Sequence, residues 1–497
     1  MLQVTPEPNT LLSGAGPAAL TGLNIIHKHL TGQEGTKQHM KVTGIIMECN
    51  PFHEGHAYIL QEARRLTQAD YIVVAMSGDY VQRGEPALYD KYIRAEEILR
   101  AGADLVLEIP LFAACGSAEY FARGGIALLD KLGIVTDLCF GSESGDLDNI
   151  LRCAGALAGA EDGPPSEKTA RYRSVLQEGL KSGMTFPAAR SAALEDTFIK
   201  EGETLSYPSV PNDVLAVEYC RALMLLGSDI RPHAIGRINV PSATQYRKSL
   251  LQDRAGIPAG RTASGRGADD SLPLSENRSR HTDACAPDRD FTIQTPEQFL
   301  SQSTVSQIPL VPLGADDFSE CLMYALKMHE HELETYADVS EDLAARIRKN
   351  LGSYRGFTDF CDLINTRNLT RTRVSRCLLH ILLQIRKEHL HALQSAGIVL
   401  YLRPLAFRRT ASPLLSAISQ NASVPFLSRL SDAKSHLAPK AFSFLEEEMR
   451  AEDLYCMTLS SVSRGLAPEE PPVLPVPGAM QRRLPVFRTV EDLSGTQ

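Results

Sequence analysis

Three signals are missing from this sequence of 497 residues. No run of about 18 apolar residues occurs, which excludes a transmembrane helix. The first 39 residues carry no basic segment followed by an apolar stretch, so they are not a secretory signal. The ten cysteines are scattered, without a Cys-x-x-Cys pair or a His/Cys cluster at zinc spacing. We therefore expect free thiols, a cytoplasmic location and no metal site held by the protein.

The charge is unevenly distributed. The whole chain has a formal charge of −9, yet the window from Leu343 to Arg409 holds 13 Lys/Arg against 3 Asp/Glu, a local balance of +10. Clustered positive charge on an acidic chain is typical of a protein that binds a phosphate-rich ligand. The alternative is a solvated helical face whose counter-charges lie elsewhere in the fold.

The pattern from residue 41 to 150 predicts an α/β domain of the Rossmann-like type. Short apolar runs alternate with amphipathic stretches, which is typical of βαβ units and a parallel sheet. Strands are predicted at 42–47, 71–75, 104–108 and 137–140, with helices at 57–66, 91–100 and 118–131. A ligand of such a sheet binds beyond the carboxyl ends of the strands.

The rest of the chain predicts helices separated by polar segments. Residues 151–230 and 316–393 have mainly helical patterns, with a short strand at 233–238. The segment 254–289 is dense in Gly, Ser, Pro, Arg and Asp, which predicts a flexible insert. A Pro-rich stretch after Ala467 predicts a poorly ordered tail.

The strongest motif is His53-Glu54-Gly55-His56, which follows a predicted strand and the turn Asn50-Pro51-Phe52. It opens a predicted helix, whose free backbone N–H groups and positive dipole end suit a triphosphate. Two imidazoles can donate hydrogen bonds to phosphate oxygens as pyrophosphate leaves. The alternative is a chance pair of loop histidines.

Several other residues could contact a phosphate or a carboxylate. They follow predicted strands or open predicted helices, where fixed cations, hydroxyls and a glycine can approach a ligand. They are Arg83, Lys91, Arg94, Ser242, Thr244 and Arg247, whereas Gly141 could let an adenine or ribose lie on the backbone. The alternatives are ordinary turns, helix caps and helix-surface charges.

Together these motifs resemble one family. The string Gly-Ile-Ile-x-Glu-x-Asn-Pro-Phe-His-x-Gly-His, followed by Met-Ser-Gly-x-x-x-Gln-Arg-Gly-Glu-Pro-Ala, is similar to the bacterial tRNA(Met) cytidine acetate ligases of the HIGH-type nucleotidyltransferase superfamily. Phe140-Gly-Ser-Glu143, Pro211-Asn212 and Asn368-Leu-Thr-Arg-Thr-Arg-Val-Ser-Arg376 agree with it. The chain departs from the family at Cys49, where tyrosine is usual, and after Arg237, where a Tyr-His-Asp segment is missing.

The resemblance implies an ATP-dependent tRNA-modifying ligase. Such enzymes convert acetate and ATP to acetyl-adenylate, then transfer the acetyl group to N4 of the wobble cytidine of elongator tRNA(Met). It implies His53 and His56 as catalytic residues, Mg²⁺ only as the ATP chelate, and no membrane or obligate protein partner. The implied ATP-binding residues are Ile46, Met47, Glu48, Cys49, Asn50, Pro51, Phe52, His53, Glu54, Gly55, His56, Ala57, Tyr58, Ile59, Gly141, Asn212 and Arg237, and the tRNA-binding residues are Arg367, Arg371, Arg373 and Arg376.

The predicted organisation has five parts. They are a disordered or untranslated extension over 1–39, a catalytic ATP-binding domain over 40–250, a flexible insert over 251–310, a basic helical tRNA-binding domain over 311–465 and a Pro-rich tail over 466–497. Two other functions stay open. A small-molecule adenylyltransferase would use the first domain alone, and a catalytically decayed tRNA-binding protein would explain the missing segment after Arg237.

Overall fold

The computed structural model describes residues 40–198, 205–238, 240–255, 311–366, 369–466 and 486–488. Its strands are β1 Val42–Met47, β2 Tyr71–Ser77, β3 Tyr80–Val81, β4 Glu85–Pro86, β5 Leu105–Ile109, β6 Asp137–Ser142, β7 Arg231–Gly236, β8 Pro404–Arg408 and β9 Val486–Arg488. Its α-helices are α1 Glu54–Thr67, α2 Lys91–Arg100, α3 Leu111–Ala114, α4 Ala118–Lys131, α5 Leu147–Leu157, α6 Glu167–Lys181, α7 Phe186–Phe198, α8 Pro211–Leu226, α9 Ala243–Ala255, α10 Ser319–Met328, α11 Glu341–Asn350, α12 Phe357–Ile364, α13 Arg371–Leu382, α14 Lys387–Ala396, α15 Ser412–Asn421, α16 Ala433–His436 and α17 Pro439–Leu466.

A seven-stranded sheet with the order β7-β6-β1-β2-β5-β8-β9 organises the fold. The pairs β7–β6, β6–β1, β1–β2 and β2–β5 are parallel, whereas β8 runs antiparallel to β5. The strand order reverses at β1, because β2 lies on one side of it and β6 on the other. Ligands of open parallel sheets bind at such a switch point, beyond the carboxyl ends of the strands.

Helices cover both faces of the sheet, which explains why its central strands are almost continuously apolar. All six residues of β1 are buried. Helices α1 and α2 pack on one face through residues such as Leu60 and Ile98. Helices α4 and α8 cover the other face through residues such as Phe121 and Leu223. The Rossmann-like fold predicted from the sequence is confirmed.

The C-terminal half of the chain is mainly helical, but it returns to the sheet. Its core includes residues of α10 to α14 and α17, and Tyr80 and Phe112 from the first half pack into it. Strand β8 then pairs with β5, with Val106 opposite Ala406. The catalytic and helical regions therefore share a sheet and a core.

Some local expectations differ from the structure. Helix α1 begins at Glu54 because His53 caps it, three residues before the predicted start. Helix α9 continues to Ala255, into the predicted insert, and Val486–Arg488 form a strand inside the predicted tail. The predicted extension over 1–39 and residues 256–310 of the insert lie outside the described residues. No helix in the described ranges has the length and apolarity needed to cross a bilayer.

Candidate active site

The His53–His56 turn caps the helix that follows β1. His53 is the N-cap of α1, and its Nδ1 accepts a hydrogen bond from the Gly55 backbone N–H at 3.1 Å. The His56 Nδ1 accepts one from the His53 backbone N–H at 3.2 Å. The two rings lie with their centroids 4.0 Å apart. Both imidazoles are thus fixed by the backbone of the turn itself.

These two bonds determine the tautomer of each histidine. A neutral imidazole that accepts at Nδ1 carries its hydrogen on Nε2. Burial, and then the positive charge of Arg237, lowers the pKa of His53 to about 4. Burial, followed by the charges of His53 and Arg237, also lowers the pKa of His56 well below its ordinary value. At neutral pH the turn therefore presents two uncharged Nε2–H donors.

We expect the lowered pKa of His53 to make stability depend on pH. The unfolded chain protonates this histidine near pH 6.5, whereas the folded protein keeps it neutral down to about pH 4. The contribution of His53 to the free energy of unfolding is therefore complete above pH 6.5, and it is lost as the pH falls towards 4. His53 alone should lower the free energy of unfolding by roughly 2 kcal/mol at pH 5 relative to pH 7. Urea unfolding of the parent protein and of His53→Asn at both pH values measures this, and an equal loss in both would contradict it.

Gly55 is required by the packing of the turn. A Cβ atom there would lie 2.8 Å from His53 Cε1 and 3.3 Å from Val240 Cγ2. The sequence suggested that this glycine allows the phosphates to approach. The structure adds a further reason, since the His53 ring folds over the glycine.

The predicted residues Gly141, Asn212 and Arg237 come together at the end of β6. The Asn212 Nδ2 donates to Glu143 Oε1 at 2.7 Å, and the Arg237 guanidinium lies 3.2 Å from the same oxygen. A Cβ atom at position 141 would lie 3.1 Å from Ile59 Cδ1 and 3.7 Å from Arg237 Cγ. Glu143 thus holds two predicted ATP-binding residues beside α1.

The sequence reasoning assigned no role to Glu143 or Asp213. The Asp213 carboxylate accepts from Ser142 Oγ at 2.5 Å and from the backbone N–H groups of Glu143 and Ser144 at 2.9 and 3.1 Å. It therefore holds the loop after β6 at the first turn of α8. Glu143 ends one of the motifs that resemble the family and Asp213 directly follows another, and this was the available signal.

Helix α9 lies against the His53–His56 turn, as its predicted phosphate contacts require. Arg247 donates to the backbone carbonyl of Asn50 at 2.8 Å and to Thr244 Oγ1 at 3.1 Å. Ser242 instead caps the helix through Gln245, whose backbone N–H donates to the Ser242 hydroxyl at 3.3 Å. Ser242 thus acts as a helix cap, which was the alternative interpretation, while Arg247 lies close to the turn, as a phosphate contact would.

Lys91 and Arg94 lie beneath the loop that follows β2. The Lys91 side chain is 1% exposed and contacts Glu108 at 2.8 Å, Glu452 at 2.9 Å and Asp79 at 3.5 Å. Arg94 is fully buried and donates to the carbonyls of Glu48, Gly78 and Tyr89. The structure therefore gives both cations supporting contacts inside the protein and does not place them at the surface of the site.

Arg83 is not buried like Lys91 and Arg94, and its charge acts on the partly buried Glu48. Arg83 is exposed on the β3–β4 hairpin. The Glu48 carboxylate accepts from the Gln82 backbone N–H at 2.7 Å. Burial raises the pKa of Glu48, although the charge of Arg83 opposes this shift. Arg83 is thus placed near the carboxyl end of β1, where a ligand would bind.

The remaining residues of the predicted ATP-binding segment are mostly core. Ile46, Met47, Cys49, Phe52 and Ala57 are buried, whereas Tyr58 and Ile59 are partly exposed. Burial raises the pKa of the Cys49 thiol, so that it is neutral at physiological pH. Asn50 is 2% exposed, and its Oδ1 accepts from the Leu88 backbone N–H at 2.7 Å. These side chains therefore support the His53–His56 turn by packing in the protein interior.

The β3–β4 hairpin joins this site to the basic helix α13. The Ser375 hydroxyl donates to the Gly84 carbonyl at 2.8 Å. Glu85 lies 3.9 Å from Arg247 and 3.6 Å from Arg371. Gly84 has a φ of 77°, and a Cβ atom there would lie 2.3 Å from the Arg376 backbone nitrogen. The hairpin therefore sits between α9 and α13.

The predicted tRNA-binding arginines have different surroundings. Arg373 is exposed, and Arg371 is 43% exposed while it pairs with Asp362 at 2.9 Å. The Arg376 side chain is 13% exposed and lies 3.8 Å from Asp338. Arg367 lies outside the described residues. Five other cations of the basic window bind protein groups, and these are Arg346, Arg348, Arg386, Arg403 and Arg408. The remaining four, Lys349, Arg355, Lys387 and Arg409, are exposed.

Among the residues that the structure describes, no group of three or more His, Cys, Asp or Glu side chains could hold a metal ion. The nine described cysteines are free, and eight of them are buried. The turn itself offers hydrogen bonding and charge, supplied by imidazoles, backbone N–H groups and nearby arginines.

Comparison with known proteins identifies the family of this chain. The family described as HIGH Nucleotidyl Transferase matches residues 40–467. The tRNA(Met) cytidine acetate ligase of Acetivibrio thermocellus is 34% identical over 420 residues, which cover 84% of this chain and 95% of that protein. The enzyme of the same name from Thermoanaerobacter sp. is 32% identical over 425 residues, 85% of this chain and 97% of the relative.

A solved structure is similar over nearly the whole chain. It is the crystal structure of Thermotoga maritima TmcAL bound with alpha-thio ATP. The two proteins are 28% identical and superpose with a TM-score of 0.72, over 91% of this chain and 100% of that chain. The sequence relatives, the structural neighbour and the His53–His56 turn lead to one conclusion: this chain belongs to the tRNA(Met) cytidine acetate ligase family of HIGH nucleotidyltransferases.

Proposed function

We propose that this protein activates acetate with ATP and transfers the acetyl group to N4 of the wobble cytidine of elongator tRNA(Met). In the first step an acetate oxygen attacks the α-phosphorus of ATP, and pyrophosphate leaves. In the second step the cytidine amine attacks the acetyl carbon and loses a proton, and AMP leaves. Family membership and the geometry of the His53–His56 turn support the proposal.

One observation carries the first step. His53 and His56 are both held with Nδ1 as acceptor, so each carries its hydrogen on Nε2, which can donate at the start of α1. Donors that are fixed before the reaction stabilise the charge that develops on the phosphates. Because acetate is already ionised at neutral pH, this step needs little acid–base catalysis. A neutral, fixed pair of donors suits adenylate formation.

The other predicted ligand contacts surround this pair. Arg237 and Asn212, held by Glu143, would bind the nucleoside end of ATP beside Gly141. Thr244 and Arg247 of α9, with Ser242 before it and Arg83 of the hairpin, would bind the phosphates or acetate. Mg²⁺ would enter as part of the ATP chelate.

The acceptor tRNA would bind across α13 and the hairpin. The Arg371 and Arg373 side chains are exposed there, and Glu85 lies between Arg371 and Arg247 of the ATP site. Phosphate contacts by such arginines position an RNA, while the reacting base leaves its stack to reach the enzyme-bound group. The free thiols of the described residues are consistent with our proposal that the enzyme acts in the cytoplasm.

The proposal is tested by incubating the purified protein with labelled acetate, ATP and bulk bacterial tRNA, followed by nucleoside analysis. We expect ATP-dependent label in N4-acetylcytidine. Acetate-dependent exchange of labelled pyrophosphate into ATP without labelled tRNA would indicate another acceptor. Absence of both products would overturn the proposal in favour of a different adenylyl acceptor or an inactive tRNA-binding protein.

Replacing Arg371 and Arg373 with Ala should weaken tRNA binding and flatten its salt dependence. Each lost phosphate contact should lower the slope of log affinity against log salt by about 1. Filter binding of tRNA between low and moderate salt measures this. Lys327→Ala is a suitable control, because Lys327 is exposed on α10 and pairs with Glu330. Unchanged binding by the double variant would remove α13 from the tRNA site.

A further inference from the structure

A tyrosine outside the predicted site joins the two elements that form it. The Tyr246 hydroxyl on α9 lies 2.8 and 2.9 Å from the two oxygens of Glu54, the first residue of α1. The Tyr246 ring also stacks near the His53 ring, with centroids 5.9 Å apart and an interplanar angle of 22°. Both contacts connect α9 to the catalytic turn.

The rest of α9 is held by other parts of the protein. Its last turns pack through Leu250 and Leu251 on a cluster that contains Leu88 and Ile93. Arg254 binds Asp317 at 2.7 Å. The first turns carry Thr244 and Arg247, and their contacts include the Tyr246–Glu54 bond and the bond from Arg247 to the Asn50 carbonyl. Arg247 also lies 3.9 Å from Glu85 of the hairpin, whereas the bond of Tyr246 reaches α1 itself.

We propose that Tyr246 is a positioning residue that holds the first turns of α9 against the His53–His56 turn before ATP binds. Its bond to Glu54 keeps Arg247 and Thr244 where the proposed function needs them. Without this bond, ATP itself must bring the first turns of α9 into place. The apparent affinity of a ligand falls with the fraction of protein that is already in the binding-competent arrangement. Tyr246 thus acts on the binding of ATP and touches no reacting atom.

The substitution Tyr246→Phe tests this role, because it removes the hydroxyl and keeps the ring. In acetate-dependent pyrophosphate exchange we expect the KM for ATP to rise about tenfold, which corresponds to the loss of one hydrogen bond to a charged group. We expect kcat to change less than about twofold, since saturating ATP restores the arrangement. A fall in kcat at unchanged KM would overturn the proposal. Tyr324→Phe, at a site that is 68% exposed on α10, serves as the matched control.

A double-mutant cycle identifies Glu54 as the partner. Glu54→Gln should raise the KM for ATP by a smaller factor in the Tyr246→Phe background than in the parent protein, because the shared bond is already gone. If the factors by which the two substitutions raise the KM for ATP simply multiply in the double variant, the two residues act separately. Amide hydrogen exchange of residues 243–251 in the ligand-free protein should be faster in Tyr246→Phe, while β1 and β2 exchange as before. Unchanged exchange in α9 would also overturn the proposal.

This inference rests on the proposed function only for its enzymatic readout. Calorimetric titration with alpha-thio ATP should show the same tenfold loss of affinity without any acceptor or acetate. If the parent protein gives no acetate-dependent exchange, the proposed function fails, yet titration and hydrogen exchange still decide the role of Tyr246. If the parent protein gives normal acetate-dependent pyrophosphate exchange and Tyr246→Phe binds alpha-thio ATP with unchanged affinity, only the proposed role of Tyr246 fails.

Discussion

The substitution His53→Ala should abolish acetate-dependent pyrophosphate exchange while tRNA binding stays nearly unchanged. The variant removes one of the two Nε2–H donors at the start of α1. Loss of a single fixed donor to a developing negative charge typically lowers kcat on the order of 10²–10³-fold. Exchange measured at saturating ATP and acetate reports this step, and filter binding reports the tRNA site. Comparable loss of both would mean that the turn is structural.

His53 also caps α1, so the effect on chemistry must be separated from the effect on folding. Loss of the cap should cost about 1 kcal/mol in the free energy of unfolding. His53→Asn is the matched variant, because asparagine is a favourable N-cap residue whose side-chain oxygen can accept the Gly55 N–H. We expect it to restore most of the stability and little of the activity. Recovery of exchange by His53→Asn would show that the cap, and not the Nε2–H donor, is what catalysis requires.

The substitution Lys91→Met should destabilise the whole protein. Lys91 and Arg403 are the buried cations among three carboxylates, those of Asp79, Glu108 and Glu452. Although burial opposes its ionisation, Arg403 and Lys91 lower the pKa of Glu452 to about 2. Removal of one partner from a buried ion pair costs about 3–5 kcal/mol, because it leaves an uncompensated charge. Urea unfolding at pH 7 measures the change.

This experiment also decides between two roles of Lys91. The sequence suggested that it contacts phosphate or acetate, whereas the structure shows it at the start of α2, in contact with β5 and α17. A variant with normal stability but little exchange would support the ligand contact. The control Lys327→Met replaces a lysine that is 58% exposed and should change the free energy of unfolding by less than about 0.5 kcal/mol. A loss of similar size in both variants would contradict the structural role.

The local features of the site were predictable because neighbouring residues create them. The apolar run of β1, the Asn-Pro turn and the His53–His56 helix start occupy one continuous stretch of sequence. A cap, a tautomer and a helix dipole depend on residues within one turn of each other. The sequence therefore predicted the turn and the start of α1, and it predicted helix α2 with its observed bounds.

The charge pattern illustrates what sequence proximity cannot show. The basic window predicted a tRNA platform, yet Arg403 and Arg408 bind groups of the first half of the chain, and Arg348 and Arg386 pair with acids outside the window. A linear count cannot reveal counter-charges that the fold brings from distant positions. Only the arrangement of α13 against the hairpin shows that Arg371 and Arg373 are exposed cations on the helix that adjoins the proposed ATP site.

The sequence by itself determined the family, the Rossmann-like sheet and the strand–turn–helix that carries His53 and His56, since each rests on a periodic pattern or a contiguous motif. The tertiary structure decided which distant groups meet. It placed Glu143 between Asn212 and Arg237, Tyr246 on Glu54, and Lys91 in the core. The physical reason is that these contacts join residues about 70 to 360 positions apart, and their geometry is set by sheet order and helix packing, which no local pattern encodes.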